Sequence, residues 1–292
     1  MNTLRNVGRD TVLTTEQGLV IKQAAVEAAR RKFVGRKLFS AMRKIDAGSQ
    51  TYGYDTKTHV SAAAFDYAWP GKMAQDIMNF ARTTVPIPIL HKETSINKLD
   101  LLASQLSGTP LNTSNIDSIA YQVAWAEDLM LLNGWSQDGT TYEINGLYQV
   151  AGNSEASSLD YGTPANIVTS INNAKGLLES DNIFAPYNLV LNPTQHQQLF
   201  PLIANTAVSY LQWVQQALEG GSIYVSPAVV AGTGLMVEAN NSGSMEYVVA
   251  EDLSTETEQK SVEDGAGLFA RVYVRGLPVI YDANAICKLT TI

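Results

Sequence analysis

The chain has 292 residues, 45% of them hydrophobic, with a net charge of -8 and a sequence pI of about 4.9. That length and apolar content suffice for one large domain or two smaller ones and exclude a disordered chain, while the acidic balance excludes the broad basic footprint of a dedicated nucleic-acid binder. Charged residues make up only 16%, against roughly 25% in ordinary soluble domains, so the surface is either an uncharged polar coat or, in large part, contact area, since interface cores are depleted in charge.

Residues 1–18 are polar, carry Arg5 and Arg9, and hold no apolar segment, so no signal peptide is readable. Thr14 as N-cap with Gln17 three positions on forms a capping box and predicts a helix to about Gly35. Its stripe of Val20, Ala24, Val26 and Ala28 is narrow, which places it on a surface. The basic residues Arg30, Arg31, Lys32, Arg36, Lys37, Arg43 and Lys44 read as a solvated or structural edge, too short for dedicated polyanion binding.

From residue 47 to 85 the chain turns aromatic and glycine-rich, with Tyr52, Tyr54, Phe65, Tyr67 and Trp69. An excursion of roughly 40 residues with weak periodicity is uncommon inside a compact domain and predicts a partner-binding loop. Residues 85–93 read as an extended edge, because Pro86 and Pro88 delete ladder donors. Residues 99–106 predict a short helix ended by Gly108 and Pro110.

The strongest helical signal spans residues 116–134. Ile116, Ile119, Ala120, Val123 and Met130 recur at three- and four-residue steps, Ser114 and Asp117 open the helix, and Asn133-Gly134 closes it. Tyr121 and Trp125 beside the stripe let it pack on more than one flank. Residues 152–162 read as a polar loop, and Pro164 as N1 of a helix to about Leu178.

Residues 187–192 form a short buried strand, Pro193 opens a helix to Leu202, and residues 210–218 form another stopped by Gly220-Gly221. Strands follow at 223–225, 234–237 and 247–249, then an acidic hairpin at 251–264. Residues 268–275 alternate cleanly, so one face is buried and Arg271, Tyr273 and Arg275 share the other.

Chemistry-bearing motifs are scarce. His59, His91 and His196 sit in separate segments without metal-ligand spacing, and the single cysteine, Cys287, allows neither a disulfide nor a thiolate cluster. Glu127 and Asp128 are adjacent on a helix, diverge by roughly 100° and predict ion pairing or capping and not acid/base work. The string from Gly265 to Ala270 fits GxGxxG/A but opens a strand, where a phosphate cradle must open a helix. Asn112 and Asn240 head glycosylation strings that carry little meaning without a secretory signal. No stretch reaches the ~18 uninterrupted apolar residues of a membrane helix. These features predict a soluble, intracellular chain without catalytic machinery, cofactor or metal.

In order, these motifs resemble the encapsulins, shell proteins with the Hong Kong 97 fold shared with tailed-phage major capsid proteins. The resemblance rests on Leu13 to Gln17 running on to Phe33-Val34-Gly35-Arg36-Lys37, and on Val123-Ala124, Glu127-Asp128, Asn133-Gly134 and Asn145-Gly146-Leu147. It continues through Gly162-Thr163-Pro164, Ala185 to Asn192, Gly220-Gly221-Ser222-Ile223 with Ser226-Pro227, and Glu251-Asp252-Leu253-Ser254. The chain departs from the family in lacking a GP.G signature between Ser40 and Tyr54, and in carrying Gly18 where many members have Trp.

The resemblance implies an α+β capsid fold in which residues 1–46 are an amino-terminal arm and helix and 47–85 an extended loop over a neighbouring subunit. Residues 86–143 and 245–280 would form the peripheral domain, and 144–244 with 281–292 the axial domain. It further implies closed icosahedral particles of many copies, with Tyr52, Tyr54, Phe65, Tyr67 and Trp69 at the subunit interface. An encapsulin would enclose a cargo protein against an inner wall near Val20, Ala24 and Phe33, in the cytoplasm and away from membranes. A viral major capsid protein would instead enclose a genome in a virion, and an enzyme would need an active site that the sequence does not offer.

Overall fold

The computed structural model describes residues 33–57, 77, 80–97, 114–139, 141, 143–258 and 266–292. The predicted helices at 14–35 and 99–106 lie outside them, apart from the residues after 32.

One sheet runs in the order β1 (Met42–Lys44), β9 (Met245–Glu258), β10 (Ala266–Ile280), β4 (Ile89–Asn97). The alternation predicted at 268–275 holds: Ala270, Val272 and Val274 are buried on one face. That face receives α1 (Ser114–Asn133) through Ile116, Ile119, Ala120, Val123 and Ala124, with Leu253 of β9 joining the cluster. α1 ends where Gly134 takes a φ of 78°, as the Asn-Gly pair predicted. Among the described residues β4 is an edge strand paired with β10 alone, and the run 85–93 predicted as one extended edge is divided, since Val85 and Pro86 close an earlier strand paired elsewhere and only residues from Ile89 enter β4.

The acidic hairpin expected at 251–264 is corrected in part, since the run to Glu258 is a continuation of β9. Leu253 and Thr255 point inward while Asp252 and Glu256 point out. Alternation thus persists through the acidic stretch, and charge on the outer face does not end a strand. The register sets Arg271 opposite both Glu93 and Glu256, and Arg275 opposite Glu251, so neighbouring strands meet as opposite charges.

The second sheet has the order β5 (Asn153–Glu155), β11 (Ile286–Thr290), β8 (Thr233–Glu238), β6 (Tyr187–Leu191), β7 (Ile223–Val225). β5 falls in what the sequence predicts to be a loop, because three polar residues carry no strand signal of their own until they pair with Cys287, Lys288 and Leu289. Every residue of β6 is buried, which explains its continuous apolar reading. Around this sheet lie α2 (Leu147–Val150), α3 (Ala165–Ser180), α4 (Pro193–Gln197) and α5 (Tyr210–Ala217). Pro164 is the N-cap of α3 and not N1. The helix opened by Pro193 stops at Gln197, well before Leu202. α5 starts on a capping box of Ser209 and Gln212.

The C-terminal end of α1 leaves the first sheet and enters the core of the second. Met130, Leu131 and Leu132 pack in one continuous cluster with β6, β8, β11, α3 and α5, together with Tyr247 and Val249 of β9. One core therefore spans both sheets, and α1 is the element that joins them.

Finally, β2 (Thr51–Lys57) and β3 (Phe80–Pro86) form a separate antiparallel ladder, with Thr51 opposite Pro86 and Lys57 opposite Phe80. The segment predicted as an irregular loop at 47–85 thus begins and ends as paired strands. Its weak periodicity at the flanks reflects exposure of both faces of β3, where residues 80–84 are all exposed.

Candidate functional site

The first built site is where the amino-terminal arm docks on α1. Phe33 stacks at 5.2 Å from the Tyr121 ring and 6.0 Å from Trp125, which explains the aromatic pair beside the apolar stripe. The Asp128 carboxylate accepts the backbone N–H groups of Val34, at 3.0 Å, and of Gly35, and so caps the 3-10 turn Gly35–Leu38. Its other oxygen accepts the Ser226 hydroxyl at 2.9 Å. A Cβ at position 35 would sit 2.9 Å from Asp128 Oδ1, so the closeness of this cap requires glycine.

Glu127, one helix position earlier, faces a different group. It accepts from Arg36 Nε at 2.9 Å and from the Tyr247 hydroxyl, while Arg36 reaches on to Asp252 at 2.7 Å and lies 5.4 Å over the Tyr247 ring. Burial pushes the Glu127 carboxyl up, and the Arg36 charge pulls it back without cancelling the effect. Burial, reinforced by Glu127, holds the Tyr247 phenol well above its usual range, so that it stays a donor. The ion-pairing or capping role predicted for the two carboxylates is divided between them, Glu127 pairing and Asp128 capping. Together with Phe33, Ala124, Leu131 and Leu253 they line a cavity of about 80 Å³.

The second site is the root of the β2–β3 ladder. Glu246 on β9, buried, accepts from the Tyr52 hydroxyl at 3.0 Å, from the Tyr281 hydroxyl at 2.5 Å and from Arg43 Nε at 3.0 Å. Tyr54 stands edge-on to Tyr281 at 5.8 Å. Burial raises the Glu246 carboxyl, but the bonds from Tyr281, Arg43 and Tyr52 outweigh it and hold it below the usual carboxylate range.

The outward face of the first sheet holds a groove of about 480 Å³ between β4, β10 and β9. Its charges are paired across strands: Arg271 with Glu93 at 3.0 Å, Arg275 with Glu251 at 3.6 Å, and the Tyr273 hydroxyl with Glu256 at 2.8 Å. Arg275 also donates to the Ser49 carbonyl at 2.7 Å, tying the segment just ahead of β2 to the sheet.

Of the residues predicted from sequence, Tyr52 and Tyr54 are half-buried at the ladder root and engage their own chain. Phe33 is half-buried on α1. Val20, Ala24, Phe65, Tyr67 and Trp69 lie outside the described residues. Sequence reasoning missed Glu246 and Asn241. Asn241 is fully buried, donates to the carbonyls of Leu38 at 2.6 Å and Glu238 at 2.9 Å, and accepts from the Ser40 N–H at 2.9 Å. No local spacing announces either residue, because their partners stand up to about 200 positions away. Phe200, Leu202 and Val208 add exposed apolar surface in the segment between α4 and α5. Among the described residues no group of three or more His, Cys, Asp or Glu could hold a metal ion, and no helix is long and apolar enough to cross a membrane.

The sequence profile of a family described as an encapsulating protein for peroxidase matches residues 6–264. The chain is 27% identical over 241 residues to the type 1 encapsulin shell protein EncA of Myxococcus xanthus, a match covering 82% of each chain. In fold it is similar to the virus-like particle from Pyrococcus furiosus, with a TM-score of 0.67 and 16% identity over 94% of this chain and 98% of that one. It is also similar to the capsid of Myoviridae phage XM1, with a TM-score of 0.64 and 11% identity over 84% and 87% of the two chains. At these identities the two structures establish the α+β capsid fold of Hong Kong 97 type and no more.

Proposed function

The chain belongs to the family of encapsulating shell proteins, and from that premise we propose that it self-assembles into a closed icosahedral shell around a cargo protein. The carrying observation is the family match along most of the chain, together with the docking of Phe33 to Leu38 on α1 by the Glu127 and Asp128 pair. A structural role fits the chemistry of the described residues, in which buried Glu127 and Glu246 are held in ion pairs and buried Asp128 in a cap. Low overall charge and exposed Phe200, Leu202 and Val208 support extensive contact between copies.

In this reading the four-stranded sheet with α1 is the peripheral domain and the five-stranded sheet with α2 to α5 the axial domain. Residues 47–85 are the extended loop, whose Phe65, Tyr67 and Trp69 serve the subunit interface, while Tyr52 and Tyr54, expected there too, turn against their own sheet and anchor the root of the loop. The arm carrying Val20, Ala24 and Phe33 lines the inner wall and receives the cargo, and the particle resides in the cytoplasm. Likeness to an encapsulin along 82% of both chains favours a protein cargo over a genome. Particles purified from the native source should contain one protein in fixed stoichiometry to the shell. Nuclease-protected nucleic acid in its place would overturn the cargo reading in favour of a viral capsid.

A further inference from the structure

Among the described residues, the β2–β3 ladder packs extensively on itself and more sparsely on other elements. Thr51 and Gly53 on β2 and residues 80–84 on β3 are exposed, whereas Tyr52, Tyr54 and Val85 turn inward against Val248 and Leu277 of the first sheet. Among the described residues, Tyr52 is the polar tether from the ladder to that sheet, and its hydroxyl ends on Glu246. We propose that Glu246 is a positioning residue for shell assembly: with Arg43, Tyr52 and Tyr281 it clamps the root of the ladder and fixes the direction in which the ladder leaves the subunit. The inference rests on the shell reading, since that direction matters only where the ladder meets another copy.

The geometry suits a clamp. Four separate segments meet at one carboxylate: β1 through Arg43, β2 through Tyr52, β9 through Glu246 itself, and the residue after β10 through Tyr281. The two phenols share Oε1 and the guanidinium takes Oε2, so neither carboxylate oxygen is left without a donor in its buried position. The edge-on contact of Tyr54 with Tyr281 holds the next inward ring of β2 in place. Because side chains alternate along a strand, Tyr52 and Tyr54 face inward together, and a slip of one residue would break both contacts.

Lever arithmetic makes the root decisive. Seven paired residues at ~3.3 Å each extend ~23 Å, so a rotation of ~10° at the root moves the far end by ~4 Å. In a closed symmetric shell each copy must present the same contact at the same angle, and a displacement of that size exceeds what packed surfaces tolerate.

The test uses the full-length protein with Tyr52→Phe, which removes one hydroxyl and keeps the ring, and Glu246→Gln, which keeps the shape and removes the charge. Hydrogen exchange of the β2 and β3 amides is followed with the amides of α3 as internal reference, and particle diameters are measured by electron microscopy. Both variants should exchange the ladder amides about tenfold faster with α3 unchanged, and their particles should spread in diameter or remain open where the unaltered protein gives one closed size. Unchanged ladder exchange, or faster exchange with uniform particles of the original diameter, overturns the proposal. Acceleration in α3 as well marks a role in the fold at large and also overturns it. Should the unaltered protein form no particles, the shell reading fails on its own, and the ladder exchange alone decides whether the clamp exists.

Discussion

Arg36 is held by a buried carboxylate, an exposed one and the face of Tyr247, and it is the only residue that ties the arm to α1 and β9 at once through its charge among the described residues. Replacing it by Ala leaves Glu127 buried without its cation, so chemical denaturation of Arg36→Ala should show a loss of about 3 kcal/mol. The double variant Arg36→Met with Glu127→Gln, which removes both charges, should recover much of that loss. Asn241→Ala leaves the Leu38 carbonyl and the Ser40 N–H without their partner and should cost about 2 kcal/mol by the same measurement. Two glycines in the family-like strings have purely steric reasons. A Cβ at Gly146 would lie 2.1 Å from the Gly134 nitrogen, and one at Gly221 would lie 1.6 Å from the Tyr187 oxygen. Gly221→Ala must therefore displace the start of β6, and a cost of about 3 kcal/mol in the melting of the purified protein is expected.

Titration at the ladder root gives a pH dependence with a definite sign. The folded-state pKa of Glu246 lies below its ordinary value of 4.5, so its contribution is complete above that value and is lost as the pH falls through the depressed one. Ladder exchange or particle integrity should therefore hold through mild acid and fail only under stronger acid, and Glu246→Gln should flatten that transition. Arg43, Tyr52 and Tyr281 are the groups facing the carboxylate; the bond to Glu246 raises Arg43, and burial with the bond to Glu246 raises Tyr281, so both keep their protons throughout that range.

At the scale of elements, α1, β6, the inward face of β10 and the edge position of β4 were legible because each carries its own periodicity or punctuation in sequence. β5 was not, since three polar residues become a strand only through the pairing that β11 supplies. The acidic stretch expected as a hairpin of its own at 251–264 belongs, as far as Glu258, to the long strand β9, where Leu253 and Thr255 continue the inward pattern. Of the site, the adjacency of Glu127 and Asp128 announced structural work, whereas the packing of Phe33 on Tyr121 and Trp125 had no signal in the sequence, its partners lying about 90 positions away. Glu246 stayed hidden because its donors come from three distant segments. Replacing residues 58–79 by a short glycine-containing turn keeps the paired ends of β2 and β3. It should leave far-ultraviolet circular dichroism close to that of the full chain while light scattering reports smaller oligomers.

Among the described residues, one core runs from α1 through both sheets and takes in Val34, Leu38 and Phe39 of the arm, while the root of the β2–β3 ladder rests on the first sheet through Tyr52, Tyr54 and Val85. A body of this kind, with two appendages fixed at their roots, is suited to tiling, because the body sets the tile and the appendages set the angle to the next one. The central claim is that many copies close into a hollow container. Cryo-electron microscopy of the purified full-length chain at micromolar concentration tests it most directly. Closed particles of one diameter, with the β2–β3 ladder of each copy against a neighbouring copy, are the predicted result. Isolated monomers or dimers under the same conditions would contradict it.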